Sequence, residues 1–310
     1  MVLTVTLNPC VDKSILIDRL KPGEFNNALS AHDVAGGKGT NAARMLHTLG
    51  VPVKSLVMLG GSSGRRVEEL IRERDGIEPI VVWTRASTRM IVTVREEGPG
   101  VNTALVEPSP EVTEDEVEAL RRAYEHAIED VQIVTFGGSA PCEILEPAYA
   151  EMIDLAKAKG ILTILDSRDG ALRLGVARVP YMVKPNVVET ERLLGRALST
   201  EDDLWEAIDW YRCLGIEAVV LSRGREGGLV SWGGDMWRTR SPVVRTVNPV
   251  GSGDCLVAGI ASGILRGWEH ERCVRLGIAC GAANAAVWDA AGATKEQVEA
   301  LLGRVVLERR

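Results

Sequence analysis

Near the carboxyl end of the chain, an aspartate follows a glycine-rich stretch where a helix is predicted to begin. Residues 251–254 read Gly-Ser-Gly-Asp, and apolar residues recur near helical spacing from 256 to 264. Free backbone N–H groups at a helix N-terminus attract anions, and glycine lets a phosphate approach the backbone closely. Asp254 would repel phosphate, but it is well placed to take a proton from a hydroxyl that attacks phosphorus. The pattern indicates phosphoryl transfer; an ordinary glycine turn with a capping acid is the alternative.

A second glycine-rich helix start lies near the amino end, where residues 35–43 read Ala-Gly-Gly-Lys-Gly-Thr-Asn-Ala-Ala. Backbone N–H groups and the Asn41 amide can bond hydroxyls, and Lys38 can neutralise a phosphate. The pattern therefore suits a polyhydroxylated, anionic ligand. A capped helix with an exposed lysine is the alternative.

Polar residues elsewhere along the chain could serve the same ligand. Asp12 follows the first predicted strand, where ligands of open α/β sheets bind, and can accept hydrogen bonds from two adjacent hydroxyls. Asn186 and Glu189 could hold Mg²⁺ through water, and Arg89 could pair bidentately with a phosphate. The alternatives are a turn aspartate, a helix cap with a first-turn acid, and an exposed arginine on a strand edge.

Composition excludes several classes of function. The 310 residues carry a net charge of −7 without any basic block, which argues against a nucleic-acid partner. The six cysteines form no Cys-x-x-Cys pair, so neither a zinc site nor a disulfide framework is expected. No apolar run reaches the length of a membrane span, and the amino end lacks a signal-peptide pattern. We therefore expect a cytoplasmic protein without a membrane partner.

The elements that must position these residues alternate between strands and helices. Strands are predicted at residues 2–7, 53–59, 133–136, 161–165 and 218–221, and helices at 40–49 and 64–74. This alternation indicates an α/β fold with a mainly parallel sheet and helices on both faces. Consecutive strands at 80–83, 90–95 and 104–106, together with 14–17, predict a small separate antiparallel sheet.

The motifs together resemble those of the ribokinase-type sugar kinases, the pfkB family. Residues 250–254 (Val-Gly-Ser-Gly-Asp) with Ala258-Gly259 resemble its C-terminal signature, and residues 35–43 resemble its N-terminal one. Pro-Asn-x-x-Glu at 185–189 matches a family motif implicated in magnesium and phosphate handling. Leu-Asn-Pro at 7–9 with Asp12 is similar to the 1-phosphofructokinase and tagatose-6-phosphate kinase branch, and Asn248-Pro249 points to the latter side. The resemblance covers nearly the whole chain.

This resemblance implies a single ribokinase-like domain over residues 1–310, with a small β-sheet lid formed by about 12–34 and 80–107 and often used for dimerisation. It implies ATP- and Mg²⁺-dependent phosphoryl transfer to a hydroxyl of a phosphorylated ketohexose, either tagatose 6-phosphate or fructose 1-phosphate. A kinase of a free sugar or nucleoside is the runner-up, and a non-catalytic nucleotide or sugar-phosphate sensor is a further alternative. A dinucleotide-dependent oxidoreductase is disfavoured, because no Gly-x-Gly-x-x-Gly opens a helix after the first strand.

The resemblance also implies a role for each matching residue. Asp254 would be the base, and the anion hole would be formed by Gly251, Ser252 and Gly253. The sugar phosphate would be bound by Asp12, Gly36, Gly37, Lys38, Asn41, Arg89 and Ser139, with Lys38 and Arg89 on its existing phosphate. The nucleotide would be bound by Lys184, Asn186, Ser222, Gly224, Gly227, Val247 and Asn284, the last beside the adenine. Magnesium would be held, through water, by Asn186 and Glu189.

Three positions depart from the phosphosugar branch. Asn26-Asn27 stands where relatives often carry Asn-Arg, and Ser109-Pro110 stands where Gly-Pro is expected. Residues 88–91 read Thr-Arg-Met-Ile in place of Thr-Arg-x-Asn. All three lie in the lid and sugar region, so they bear on the choice of sugar and not on phosphoryl transfer.

Overall fold

The computed structural model describes residues 1–97 and 101–310 of the chain. Its strands are β1 (Val2–Thr6), β2 (Cys10–Ile17), β3 (Ser30–Gly36), β4 (Val53–Gly60), β5 (Pro79–Thr84), β6 (Arg89–Glu96), β7 (Asn102–Val106), β8 (Ile133–Gly137), β9 (Leu162–Asp166), β10 (Met182–Val183), β11 (Ala218–Ser222), β12 (Gly228–Trp232), β13 (Asp235–Arg240) and β14 (Val306–Arg309). Its α-helices are α1 (Lys38–Thr48), α2 (Gly61–Glu69), α3 (Glu114–Ala127), α4 (Ala148–Ala158), α5 (Asp169–Val176), α6 (Val187–Leu194), α7 (Glu201–Cys213), α8 (Ser252–Leu265), α9 (His270–Ala285) and α10 (Lys295–Leu302). A π-helical turn, Leu70–Arg74, continues α2.

The large sheet has the strand order β14-β13-β12-β11-β10-β9-β8-β1-β4-β5. From β5 to β11 all neighbouring strands are parallel, and β12, β13 and β14 add an antiparallel edge. The mainly parallel α/β sheet predicted from the sequence is therefore confirmed. Because carboxyl ends of parallel strands meet at one edge, the loops after β1, β8 and β9 lie close together there.

Helices cover both faces of this sheet, so its central strands are apolar on both sides. On β1 and β8, Val5 and Phe136 face the core formed with α3, α4, α5 and α7. The side chains of Val2 and Ile133 point to the opposite face of these strands, and they contact the second core formed with α1, α8, α9 and α10. This second core holds α1 and α8 side by side, and these are the two helices that begin with glycine-rich motifs.

The small sheet has the order β3-β2-β6-β7. It is mixed, since β2 pairs in parallel with β6, whereas β3 and β7 pair antiparallel to their neighbours. The expected antiparallel arrangement is thus wrong for the central pair. Residues 98–100 of the expected lid range lie outside the described part of the chain.

The strand predicted at residues 80–83 does not belong to the small sheet. It forms β5, which pairs in parallel with β4 at the edge of the large sheet. The physical reason is the helix between them: β4, α2 and β5 make a βαβ unit, and such a crossover returns the chain parallel to the strand that it left. In the described residues, no helix has the length and apolarity needed to cross a membrane.

Candidate active site

The glycine-rich stretch before α8 forms an open helix N-terminus. Gly251 precedes the helix with φ of 83°, a left-handed conformation that glycine adopts without strain. The backbone N–H groups of Gly253 and Asp254 find no acceptor among the described residues. Such free N–H groups, together with the helix dipole, make a binding site for an anion.

Asp254 lies in the first turn of α8 and is buried. Asn41 Nδ2, from the first turn of α1, donates a hydrogen bond to Asp254 Oδ2 over 2.8 Å. Burial raises the pKa of Asp254 to about 6, and the nearby Asp166 carboxylate adds to the rise. A carboxyl group with a pKa near neutrality is suited to accept a proton from a hydroxyl.

Arg44 holds Asn41 in this orientation. Its Nη1 donates to Asn41 Oδ1 over 3.2 Å, so the Asn41 amide nitrogen is turned toward Asp254. The guanidinium is buried and forms a bidentate pair with Asp75 at 2.7 and 2.8 Å, with two further bonds to backbone carbonyls. The sequence analysis missed Arg44, although an arginine on the apolar side of α1, between Ala43 and Leu46, is an available signal.

Two lysines and two carboxylates meet beside Asp254. Lys38 Nζ lies 2.8 Å from Asp166 Oδ1 and 3.6 Å from Glu189 Oε1, and Lys184 Nζ lies 3.2 Å from Asp166 Oδ1. Burial opposes the charge of Asp166, yet the Lys184 and Lys38 ammonium groups lower its pKa. Burial likewise opposes the charge of Lys38, but the Asp166 and Glu189 carboxylates outweigh it and raise its pKa. Asp166 and Lys38 are therefore both charged at neutral pH.

This cluster revises the expected position of Lys38. The Asp254 carboxylate acts on the charge of Lys38, and the lysine ammonium is held by Asp166 and Glu189. Lys38 thus lies at the anion-binding end of the site, together with Lys184, whose ammonium approaches Gly253. Its expected contact with the phosphate that the sugar carries stays a prediction, although this placement favours a phosphate at the anion-binding end.

Asp166 is a site residue that the sequence analysis missed. It is the last residue of β9, and its carboxylate holds both lysines in place. The signal was present, since an aspartate directly after a buried apolar strand lies at the edge where α/β sheets bind ligands. Only the pairing of β8 with β9 brings that carboxylate opposite Lys38.

Several polar atoms near the amino-terminal motif have no partner. Asp12 Oδ1, Asn8 Oδ1 and Arg89 Nε are buried and unbonded within the described residues. Arg89 Nη2 lies 3.4 Å from Asn8 O, and Asn8 Nδ2 lies 3.5 Å from Ser139 Oγ. Because an unbonded buried polar atom is costly, these atoms indicate a ligand that supplies donors, acceptors and negative charge.

The glycines beside Asp12 permit close packing of backbone. A Cβ at Gly36 would lie 2.6 Å from Cys10 Sγ, and one at Gly37 would lie 2.7 Å from Thr6 Cγ2. Gly37 has φ of 122°, outside the range that other residues adopt readily. These two glycines therefore let α1 begin directly against β1 and β2, which carries Asn41 to Asp254.

The predicted magnesium residues form a helix cap. Asn186 Oδ1 accepts from the Glu189 backbone N–H at 2.8 Å, and Glu189 Oε2 accepts from the Asn186 N–H at 2.9 Å. This capping box leaves Glu189 Oε1 facing Lys38. No group of three or more metal-ligating residues occurs in the described part of the chain. The donor set fits Mg²⁺ that is carried by phosphate oxygens and held by one carboxylate through water.

Three predicted nucleotide residues line one cavity of about 480 Å³. These are Asn186, Ser222 and Gly224, and the walls also include the first residues of α6 and α7 and the loop between these helices. Gly227 does not line it; its φ is 88°, and a Cβ there would lie 1.9 Å from Thr239 O. The close approach of β13, which carries Thr239, therefore requires glycine at position 227.

Asn284 and Val247 support the anion-binding loop from inside. Asn284 is fully buried, and its Nδ2 donates to Val250 O and Ser252 Oγ while its Oδ1 accepts from the Ala291 N–H. Both amide N–H groups are used within the loop, and the expected position of Asn284 beside the adenine stays a prediction. Val247 N–H bonds Ala285 O, which joins the same loop to the end of α9.

An anion-binding helix start, a buried carboxylate and two lysines on a mainly parallel α/β sheet are the features expected of a phosphoryl-transfer site in a ribokinase-like kinase. A family model, pfkB family carbohydrate kinase, matches residues 5–294. The chain therefore belongs to the pfkB family and is a carbohydrate kinase.

Solved structures agree with this family and fold. A candidate phosphofructokinase from Staphylococcus aureus shares 27% identity with a TM-score of 0.83, covering 100% of this chain and 99% of that one. Phosphofructokinase-2 from Escherichia coli, in a tetrameric inhibited form, shares 25% identity with a TM-score of 0.88, covering 98% of each chain. A possible 1-phosphofructokinase from Thermotoga maritima shares 24% identity with a TM-score of 0.89, covering 100% and 99%. The ribokinase-like fold is thus confirmed.

Proposed function

We propose that this carbohydrate kinase transfers the terminal phosphoryl group of ATP to a hydroxyl of a phosphorylated ketohexose, with tagatose 6-phosphate and fructose 1-phosphate as the leading substrates. The observation that carries the proposal is the buried Asp254 beside two free N–H groups at the start of α8. A binding protein without activity has no use for such a base. This argues against the sensor alternative.

The base and the anion hole act on the two reacting groups. Asp254, ionised above its pKa of about 6, takes the proton of the attacking hydroxyl, and Asn41 keeps its carboxylate oriented. The free backbone N–H groups of Gly253 and Asp254, with Gly251 and Ser252 shaping the turn, stabilise charge on the transferring phosphoryl group. Both groups are fixed before substrate binds, so little reorganisation is needed.

Lys38 and Lys184 bind the phosphates of the nucleotide in this proposal. Their ammonium groups flank the Asp166 carboxylate at the anion-binding end. Mg²⁺, when bound with ATP, neutralises phosphate charge, and Glu189 Oε1 with Asn186 would hold it through water. The cavity lined by Ser222 and Gly224 would take the remainder of the nucleotide, and Gly227 and Val247 stay predicted contacts.

The sugar occupies the region with unbonded polar atoms. Asp12 accepts hydrogen bonds from two hydroxyls, while Asn41 and the backbone around Gly36 and Gly37 orient the ring. Arg89 and Ser139 bind the phosphate that the sugar already carries. With the acceptor hydroxyl at Asp254, that phosphate lies at the opposite end of the sugar.

A kinase of a free sugar is the second candidate. Its support is the position of Lys38, which is held by two carboxylates and leaves one fewer cation for the sugar's phosphate than the sequence predicted. The discriminating measurement is kcat/KM for tagatose 6-phosphate, fructose 1-phosphate and fructose 6-phosphate against tagatose and fructose. We expect the phosphorylated sugars to be preferred, and Arg89→Ala to reduce this preference mainly through KM. Equal use of the free sugars by the wild type would refute the phosphosugar assignment.

We further propose a single domain over residues 1–310 that forms a homodimer through its small sheet. The support is a set of exposed apolar side chains on β7, just before β7, and in the loop between β2 and β3: Leu105, Val106, Val101, Phe25 and Leu29. Leu105→Lys on β7 should then yield a monomer by light scattering. Val243→Lys, which replaces another exposed apolar residue outside the small sheet, should not.

We also propose that the protein is cytoplasmic. The support is that all six cysteines are free, as is usual in a reducing compartment.

A further inference from the structure

The loops that follow β8 and β9 bring a second guanidinium to the sugar region. The two loops are joined, since the Gly138 N–H donates to Asp166 O over 3.0 Å and Ser167 Oγ donates to Gly138 O over 2.8 Å. Arg168, the next residue, then lies with its Nη2 3.5 Å from Ser139 Oγ. Its Nε faces Asp169 at 3.6 Å, which holds the other edge of the guanidinium.

Arg89 lies on the other side of the same small group of residues. Its Nη2 is 3.4 Å from Asn8 O, and Asn8 Nδ2 is in turn 3.5 Å from Ser139 Oγ. Asn8 and Ser139 therefore stand between the two guanidinium groups. Asn8 Oδ1 and Arg89 Nε are buried and unbonded within the described residues, and the bonds to Ser139 are long. The Arg89 Nε–H and the Ser139 hydroxyl are therefore available as donors to a ligand, whereas Asn8 Oδ1 can only accept and Asn8 Nδ2 also donates to Ser109 Oγ over 2.8 Å.

The charge of the expected ligand requires more than one cation. A phosphomonoester carries close to two negative charges at neutral pH. Lys38 is engaged by Asp166 and Glu189, so of the two cations predicted for that phosphate only Arg89 would remain to face the dianion. Arg168 is the guanidinium that the fold adds at Ser139.

We propose that Arg168 is a substrate-binding and specificity-determining residue, which binds the phosphomonoester already present on the sugar together with Arg89 and Ser139. This inference rests on the proposed phosphosugar kinase activity. The side chain is half exposed, so it can adjust to the phosphate at little cost. The two guanidinium groups approach the phosphate from the β9 loop and from β6, which favours a dianion over a neutral hydroxymethyl group.

The test compares Arg168→Ala with Arg192→Ala. Arg192 is a matched control, because it is an exposed arginine that also faces Asp169 at 3.6 Å but makes no contact with Ser139. With tagatose 6-phosphate and fructose 1-phosphate, Arg168→Ala should raise KM about tenfold and leave kcat within about twofold, the effect of one partly exposed charge-assisted contact. The KM for the matching free sugars should not change, and Arg192→Ala should behave as the wild type.

Calorimetric titration of nucleotide-free enzyme with the same sugar phosphates gives a second readout. The Kd should rise by the same factor in Arg168→Ala, and Arg168→Lys should recover part of the loss, because it keeps the charge but not the planar fork. A loss that is equal for free sugars, or that appears in kcat alone, would contradict the inference. So would unchanged KM and Kd in Arg168→Ala.

The outcomes separate this inference from the proposed function. If the wild type prefers phosphosugars and Arg89→Ala weakens that preference while Arg168→Ala does not, only the role of Arg168 is wrong. If the wild type shows no preference for phosphosugars, the proposed substrate class itself is wrong. Thermal unfolding of each variant shows whether its fold is retained.

Discussion

Asn41 and Asp254 are 213 positions apart in the chain, and a 2.8 Å hydrogen bond joins their side chains. Asn41 lies in the first turn of α1 and Asp254 in the first turn of α8, so the bond connects the two glycine-rich motifs directly. The N-terminal motif thus supports the proposed general base as well as contributing to the proposed sugar site. The predictions below follow from the charge and burial of this pair and its neighbours.

The rate should depend on pH through Asp254. Because the carboxylate form accepts the proton, kcat should fall about tenfold per unit of pH below a pKa of about 6. The phosphate of the substrate also titrates near 6 and must be distinguished. Asp166→Asn removes the negative charge that raises the pKa of Asp254, so the acid limb should move to lower pH. A limb that stays in place in Asp166→Asn would assign it to the substrate.

Asp254→Asn should abolish most of the chemistry and little of the binding. An amide cannot accept the hydroxyl proton, so kcat should decrease by roughly 10²–10⁴-fold, the usual contribution of a general base. The Kd for ATP, measured by calorimetry, should change less than about threefold, because the N–H groups that bind phosphate belong to the backbone. A variant that keeps most of its kcat would show that another group is the base.

The same substitution should stabilise the protein. Burial raises the pKa of Asp254 from 3.8 to about 6, so the native state takes up a proton more readily than the unfolded chain between these values. The wild type therefore loses stability as pH rises through this window, and Asp254→Asn does not. We expect the variant to gain on the order of 1 kcal/mol in free energy of unfolding at pH 8. Urea titrations should show a smaller gain at pH 4, and a gain independent of pH would contradict the assignment.

Glu189→Gln tests the metal role apart from the helix cap. Glutamine at this position can still complete the capping box with Asn186, so α6 should keep its stability. The loss of the Oε1 charge should raise the magnesium concentration needed for half-maximal rate. The titration is made at one fixed ATP concentration that saturates the enzyme. Glu191→Gln, on the same helix and bonded to the Leu198 N–H, is the control. An unchanged magnesium titration in Glu189→Gln would leave the residue with its capping role alone.

The sequence by itself determined the features that depend on local chemistry. Glycines at 36, 37, 251 and 253 permit close backbone approach, and apolar periodicity marks the helices that follow them. Alternating strands and helices were sufficient to predict the parallel sheet. These patterns are readable because each is fixed by neighbours a few positions away.

Only the tertiary structure decided which of these residues meet. The pairing of β8 with β9 places Asp166 between two lysines and Arg168 against Ser139, and neither of these contacts can be read from nearby positions in the sequence. The tertiary structure also brings Lys38 to the anion-binding end and encloses Asn284 within the loop that precedes α8. Long-range contacts of this kind depend on sheet order and helix packing, because a charged side chain takes the partner that the fold brings within a few ångströms.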